Sequence, residues 1–353
     1  MAVRIHVAPH PDALVALLCD QLARPVGGLF DAEVVAVPSR GIERWLTQRI
    51  AAGLAERGVT DGICANVEFP SPGQVVRRAL ESVPELARSV RAWDGAGIVS
   101  PLLDVIDARL HEPWMRILAR YIDEELGGSE DNRLTAATKV GRLFSKYARR
   151  RPAMIRAWAR GEDVGPDGQP LAPDARWQAV LWRELRRHLD VGSLAELLPE
   201  ALEPLRRGDA DPGLPERVAV YGLTSTDPLD LQVLVALGEQ RDVLLYVLHP
   251  SPAVWRAVAE TEVTTLPPRA ADPTARHVDH PLLRAWGRDV RELQAVLSSH
   301  GLGGEVAAPP PRPPTLLGRI QSDVQDNRTP AFDPELAAEV TERRDRSLQV
   351  HVC

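Results

Sequence analysis

Three features of this sequence predict an α/β fold on a parallel sheet. Short β-branched runs alternate with amphipathic stretches from the first residues onward. The run Val34-Val-Ala-Val37 is apolar on both faces, as a strand covered by helices on each side must be. Between two such alternating stretches, residues 100–205 keep helical periodicity throughout.

Taken in order, Val3 to Val7 reads as a strand and Asp12 to Leu22 as a helix. The strand Val34 to Val37 stops at Pro38, which has no N–H to give a ladder, and Ser39 is a good N-cap for a helix reaching Ala55. Ala65 to Phe69 is a third, short strand, and Ser71 to Ser82 a helix with Pro72 in its first turn. The helical block holds Pro101 to Leu110, Pro113 to Leu126, Leu134 to Arg150, Trp177 to Leu189 and Leu194 to Leu205. The sheet pattern resumes with Arg217 to Tyr221, a helix from Leu229 to Leu237, and Val243 to Leu248. Residues 1–99 and 206–345 are thus expected to form one α/β domain, split by an all-helical insertion at 100–205.

Glu262 to His280 and Gly301 to Pro314, the latter holding Pro309-Pro-Pro-Arg-Pro-Pro314, read as linkers or mobile loops. A helix from Leu282 to Leu297 lies between them, with Leu283, Trp286, Val290, Leu293 and Leu297 near helical spacing. Leu348 to Cys353 reads as a strand opening a following domain at 346–353 that the chain does not complete. Trp45, Trp177, Trp182, Trp255 and Trp286 read as core residues of amphipathic helices, Trp45 being the one most open to exposure, and the helix around Trp286 could instead face a partner subunit.

With 353 residues, 44% hydrophobic content and a net charge of −7, the chain is long enough for two cores and is neither disordered nor uniformly basic. Cys19, Cys64 and Cys353 have no metal-ligand spacing and are too few for a disulfide framework. No secretory leader and no long apolar span are visible, so a cytoplasmic protein without membrane attachment is expected.

The strand-turn-helix around Ser39 has the form of an anion site. In open α/β sheets ligands gather beyond the carboxyl ends of the strands, where a helix N-terminus offers free N–H groups. Ser39, Arg40, Gly41 and Arg44 lie there, with Trp45 as a stacking candidate and Arg77 on the next helix. A second group stands out by its charge context. From Asn132 to Gly161 there are nine basic residues and no acidic one, and Lys139, Arg142, Lys146, Arg149 and Arg150, followed by Arg151, fall on one helical face. Val140, Leu143, Phe144 and Tyr147 form the neighbouring, packing face. Such a cationic face suits the backbone of a single strand.

Catalytic signatures are absent. A phosphate-binding loop needs glycines and a Lys-Ser/Thr pair after the first strand; here the chain runs Ala8-Pro-His-Pro-Asp-Ala13, and two prolines remove amides from the cradle. The buried strand Val218 to Tyr221 ends on Tyr221, which is not a carboxylate able to hold magnesium. His10 with Asp12 suits a loop and helix cap, and Asp227, Asp230 and His249 suit caps and surface positions better than a hydrolase centre.

The segment Glu33-Val-Val-Ala-Val-Pro-Ser-Arg-Gly-Ile-Glu-Arg-Trp-Leu46 and the following Ile63-Cys-Ala-Asn-Val-Glu-Phe-Pro-Ser-Pro72 resemble the N-terminal region of the RecC family, the gamma subunits of exodeoxyribonuclease V. The resemblance continues in order through Arg142-Leu-Phe-Ser-Lys-Tyr147 with Arg151-Pro152, Trp177 and Trp182, Val218-Ala-Val-Tyr-Gly-Leu-Thr224 with Leu231-Gln232, His249-Pro250 and Pro281-Leu-Leu-Arg-Ala-Trp-Gly287. It implies a helicase-like (RecA-like, P-loop-derived) domain that has lost its nucleotide site. It further implies a non-catalytic subunit that guides the 3′ strand of single-stranded or forked DNA in double-strand-break repair and recombination. RecB-like and RecD-like partner subunits would carry ATP, magnesium and the helicase and nuclease chemistry. Family members that recognise a regulatory DNA sequence tend to place amide, hydroxyl and acidic side chains at such positions; here Pro38, Arg40 and Arg44 occupy the loop, Arg77 stands where an aromatic would stack, and Arg142 and Ser145 fill positions where the family has acids, which implies more phosphate affinity and less base readout.

Overall fold

The structure is a computed structural model that describes residues 2–28, 31–125, 130–261, 272–308 and 312–331, together with a few positions between 334 and 348. Its chain divides into two compact units, one of residues 1–72, 215–226 and 241–353, the other of residues 73–214 and 227–240.

The first unit carries a five-stranded sheet in the order β1-β5-β4-β2-β3, every pair parallel. Its strands are β1 (Val3–Ala8), β2 (Glu33–Ala36), β3 (Val67–Glu68), β4 (Arg217–Leu223) and β5 (Asp242–Leu248). Helices α1 (Pro11–Leu22) and α2 (Arg40–Glu56) connect the first three strands. The central strands are buried almost without alternation, from Val218 to Tyr221 and from Val243 to Val247, as crossover helices on a parallel sheet require. Leu14, Leu18, Cys19, Leu46 and Ile50 from α1 and α2 pack with Val35, Ala219, Tyr221, Leu244 and Tyr246 into one core.

Arg217 holds the start of this sheet. Its guanidinium donates to both carboxylate oxygens of Glu33 on the neighbouring strand, to the carbonyl of Gln21 in the last turn of α1 and to that of Arg24 beyond it. Within the presumed spacer after Gly301, Val306 forms a parallel bridge to Val7 on the open side of β1, and Ala307 donates to the Val7 carbonyl at 2.8 Å. That segment is therefore bound to the sheet edge; Pro309 to Pro311 of the proline run lie outside the described residues. The other expected linker is likewise structured over its described part, where Pro273–His277 forms a 3-10 turn and Asp272 pairs with Arg291 at 3.1 Å. Residues 262–271 and 349–353, with the expected final strand, lie outside the described residues.

The second unit is helical: α3 (Pro72–Glu81), α4 (Pro84–Trp93), α5 (Ala96–Arg109), α6 (Arg116–Arg120), α7 (Glu130–Arg150), α8 (Pro152–Ala159), α9 (Arg176–Leu189), α10 (Leu194–Ala201), α11 (Glu203–Arg207) and α12 (Pro228–Gly238). Its core is aromatic. Trp182 stacks on Trp93 at 5.4 Å and meets Trp158 edge-on at 6.3 Å, while Phe144 and Tyr147 from α7 also approach Trp158 edge-on. The expected helix Pro113 to Leu126 is broken into a 3-10 turn, α6 and a π turn over Tyr121–Glu125. The expected Leu194 to Leu205 helix divides at Leu202, ahead of Pro204.

After β5 come α13 (Pro252–Ala259), α14 (Pro281–Trp286), α15 (Arg288–Ser298) and α16 (Leu316–Gln325) in the first unit. The single helix expected over Leu282 to Leu297 is split at Gly287. A Cβ there would stand 2.5 Å from the Leu283 carbonyl oxygen, so the tight turn between α14 and α15 requires glycine. The split leaves Trp286 79% exposed, the reverse of its expected core role, whereas Trp255 and Trp182 are buried.

Candidate nucleic-acid interface

All strands of the sheet are parallel, so their carboxyl ends lie along one edge, and the loops after β1, β2, β4 and β5 emerge there. At the end of β2 the chain leaves the ladder at Val37, and Ser39, with extended backbone, accepts from the Ile42 N–H at 3.3 Å to cap α2. Ser39, Arg40, Gly41 and Arg44 are exposed on this first turn. Neither Arg40 nor Arg44 forms an ion pair among the described residues, so both cations are open to an external anion at the positive end of the helix.

Trp45 is only half-exposed. Its ring leans on Tyr221 at 6.4 Å between centroids, and the Arg49 guanidinium lies 5.6 Å from its centroid on the solvent side. Arg49 in turn reaches Asp12 at 3.6 Å. Trp45 is therefore a platform already covered by a cation rather than a bare stacking surface. The sequence reading missed Arg49, although its spacing of one turn from Trp45 is the signal that could have found it.

The carboxyl end of β4 is closed against the start of α1. Tyr221 is 3% exposed, and its hydroxyl donates to the Pro11 carbonyl at 2.8 Å, tying the end of β4 to the loop after β1. Burial raises the phenol well above the usual tyrosine range, so it remains a neutral donor. His10 supplies the cap of α1 through Nδ1, which accepts from the Asp12 N–H at 3.3 Å; the cap is the histidine, and Asp12 sits inside the first turn. No cluster of His, Cys, Asp or Glu able to hold a metal occurs among the described residues.

In the helical unit, α7 presents Lys139, Arg142 and Lys146 to solvent. Lys139 bonds the Tyr121 hydroxyl at 2.6 Å, while Arg142 and Lys146 have no ion-pair partner among the described residues. The expectation of an acid-free face fails in space. Arg149 pairs with Asp230 at 2.5 Å, Arg150 with Asp227 at 3.0 Å and Arg133 with Asp107 at 3.2 Å. Distant elements supply these carboxylates, which local sequence cannot reveal. Asp227, the N-cap residue of α12, and Asp230, in its first turn, are thus also ion-pair partners. Burial pushes the Asp230 carboxyl up to about 6, outweighing the attraction of Arg149, and neighbouring Asp227 adds to the rise. Arg151 caps the start of α8 and is partly buried. Arg77 is engaged by Glu81 one turn on, at 2.8 Å.

A separate cavity of about 730 Å³ in the first unit is lined by Arg312, Arg319 and Arg328 with Thr315, Ser322 and Asp323. It is not strongly cationic, because Arg328 is paired with Asp323 at 3.3 Å and Asp326 at 3.0 Å.

No helix among the described residues is long and apolar enough to cross a membrane. The family model for the RecC N-terminal domain matches residues 3–327. The chain is 36% identical over its whole length to the RecBCD enzyme subunit RecC of Mycobacterium tuberculosis and 33% identical to that of Mycolicibacterium smegmatis, covering 31% and 30% of those proteins. It is 26% identical over 92% of its length to the Escherichia coli subunit, covering 31% of it. The chain therefore spans about a third of the length of these relatives, and it belongs to the RecC family, matching the family's N-terminal portion.

Proposed function

We propose that this chain is a non-catalytic, DNA-binding and scaffold part of a RecBCD-type helicase–nuclease acting in double-strand-break repair and homologous recombination. Its sheet unit is a helicase-like domain whose nucleotide site has been lost, residues 100–205 are a helical insertion, and the chain guides the 3′-terminated strand. RecB-like and RecD-like subunits supply ATP hydrolysis and strand cleavage. The observation that carries this reading is the hydroxyl of Tyr221 on the Pro11 carbonyl. It joins the two loops that an ATPase of this architecture would use for phosphate and magnesium, and it fills with buried aromatic surface the place where both would bind. What remains available is cationic: Arg40 and Arg44 on the sheet unit, Arg142 and Lys146 on the helical unit, each pair one helical turn apart and without an ion-pair partner among the described residues.

The test has two arms, both on the purified chain. No DNA-stimulated phosphate release is expected, and hydrolysis that co-purifies in proportion to the chain would overturn the catalytic part of the reading. Binding of a fluorescein-labelled oligothymidylate is then followed by anisotropy at several salt concentrations. Arg40→Gln/Arg44→Gln and Arg142→Gln/Lys146→Gln should each weaken binding and flatten the slope of log affinity against log salt by roughly 0.7 per lost contact. Arg206→Gln/Arg207→Gln, whose arginines already pair with Glu203, serves as control. Equal losses in all three variants would overturn the DNA reading.

A further inference from the structure

The C-terminal end of α7 carries three consecutive arginines, and the first two do not face solvent alone. Arg149 Nη1 lies 2.5 Å from Asp230 Oδ1, and Arg150 Nε lies 3.0 Å from Asp227 Oδ1. Asp227 is the N-cap residue of α12 and Asp230 lies in its first turn, and their two carboxylates meet neighbouring arginines of α7. Arg142 and Lys146, preceding them on the same helix, are exposed and have no ion-pair partner among the described residues. The cationic face of α7 is thus open along its middle and closed by two acids at its end.

Both closing pairs are reachable from water. The Arg150 side chain is 59% exposed and that of Asp227 23%, and the deeper pair retains 30% and 20%. Arg150 is largely exposed and Arg149 partly so, which leaves both guanidinium groups within reach of a strand arriving along α7 that competes with the carboxylates. Carboxylates and phosphates use the same guanidinium geometry, with two acceptor oxygens against the N–H fork.

From this geometry we infer that Asp227 and Asp230 act as internal stand-ins for two phosphates. They mask Arg149 and Arg150 until a nucleic-acid strand displaces them, and so limit the affinity and the length of strand held on α7. The inference rests on the reading of α7 as a DNA-contact helix and adds an intramolecular competitor to it.

The experiment measures oligothymidylate binding by the full chain carrying Asp227→Asn/Asp230→Asn, at several salt concentrations. Asparagine keeps the shape and the first-turn position but not the charge. Unmasking should tighten binding several-fold and steepen the salt slope by about 0.7 for each arginine released. Asp174→Asn/Glu200→Gln, two exposed acids of the same unit, matches the change in net charge and should have a much smaller effect. Adding Arg149→Gln/Arg150→Gln to the unmasked variant should erase the gain. A gain no larger than the charge-matched control, or one that survives removal of the arginines, overturns the inference. Should the double variant unfold, Asp227→Asn alone, on the more exposed pair, carries the same test with about half the slope change. The arms separate the two ideas. Loss of binding in Arg142→Gln/Lys146→Gln with no gain on unmasking keeps the DNA face and removes the mask. A gain on unmasking without that loss keeps the mask and confines the contact to the end of α7.

Discussion

At the scale of single residues, two buried polar side chains define the sheet unit, and their chemistry differs. Arg217 is 5% exposed, and its charge is tolerated because every direction of the guanidinium meets an acceptor: Glu33 across the strand pair and two carbonyls at the C-terminal end of α1. Removing one partner of a buried ion pair leaves the other charge uncompensated. Arg217→Ala is therefore expected to destabilise the chain by about 3–5 kcal/mol, read from urea unfolding, and a loss below 1 kcal/mol would show that Glu33 finds water instead. Tyr221 is neutral, so its replacement is milder. Tyr221→Phe loses one hydrogen bond to Pro11 and should cost about 1 kcal/mol, read from the same urea unfolding.

At the scale of elements, the parts legible in the sequence were those fixed by local chemistry. The apolar run of β2, its stop at Pro38 and the Ser39 cap of α2 follow from propensity and hydrogen-bonding capacity alone, and the structure shows each of them. What escaped was decided by contacts far along the chain. Val306 joins the sheet only because β1 leaves an open edge, and Arg149 meets Asp230 across 81 positions. The break between α14 and α15 lies between these cases. The spacing of Leu283, Val290 and Leu297 suits one continuous helix, and only the steric demand at Gly287 ends it. Gly287→Ala should lower stability by about 1–3 kcal/mol, as overpacking does, and should shift the fluorescence of exposed Trp286 as α14 reorients. An unchanged thermal midpoint would mean that the neighbouring backbone yields without cost.

At the scale of the whole molecule, the two compact units have separate cores, and each contains a buried group whose protonation is displaced in the opposite sense. In the sheet unit His249 accepts from the Ser251 N–H through Nδ1 and packs edge-on against Trp255, and burial lowers its pKa to about 4. The unfolded chain takes up this proton near pH 6.5, so stability from neutral His249 is complete above that value and is lost as pH falls toward 4. In the helical unit Asp230, raised to about 6, behaves inversely: its contribution is complete below about pH 4 and is lost as pH rises through 6. Acidification from pH 7 to 4.5 should therefore weaken the sheet unit while it strengthens the helical one, each by up to about 2–3 kcal/mol. Hydrogen exchange by mass spectrometry resolves the two, with amides of β4 and β5 losing protection and those of α7 and α12 gaining it. His249→Asn retains an acceptor for Ser251 but does not titrate in this range, and it should abolish the acid loss in the sheet. Asp230→Asn should abolish the gain in the helices. Parallel changes in both units, unaffected by either substitution, would show that other groups govern the response to acid.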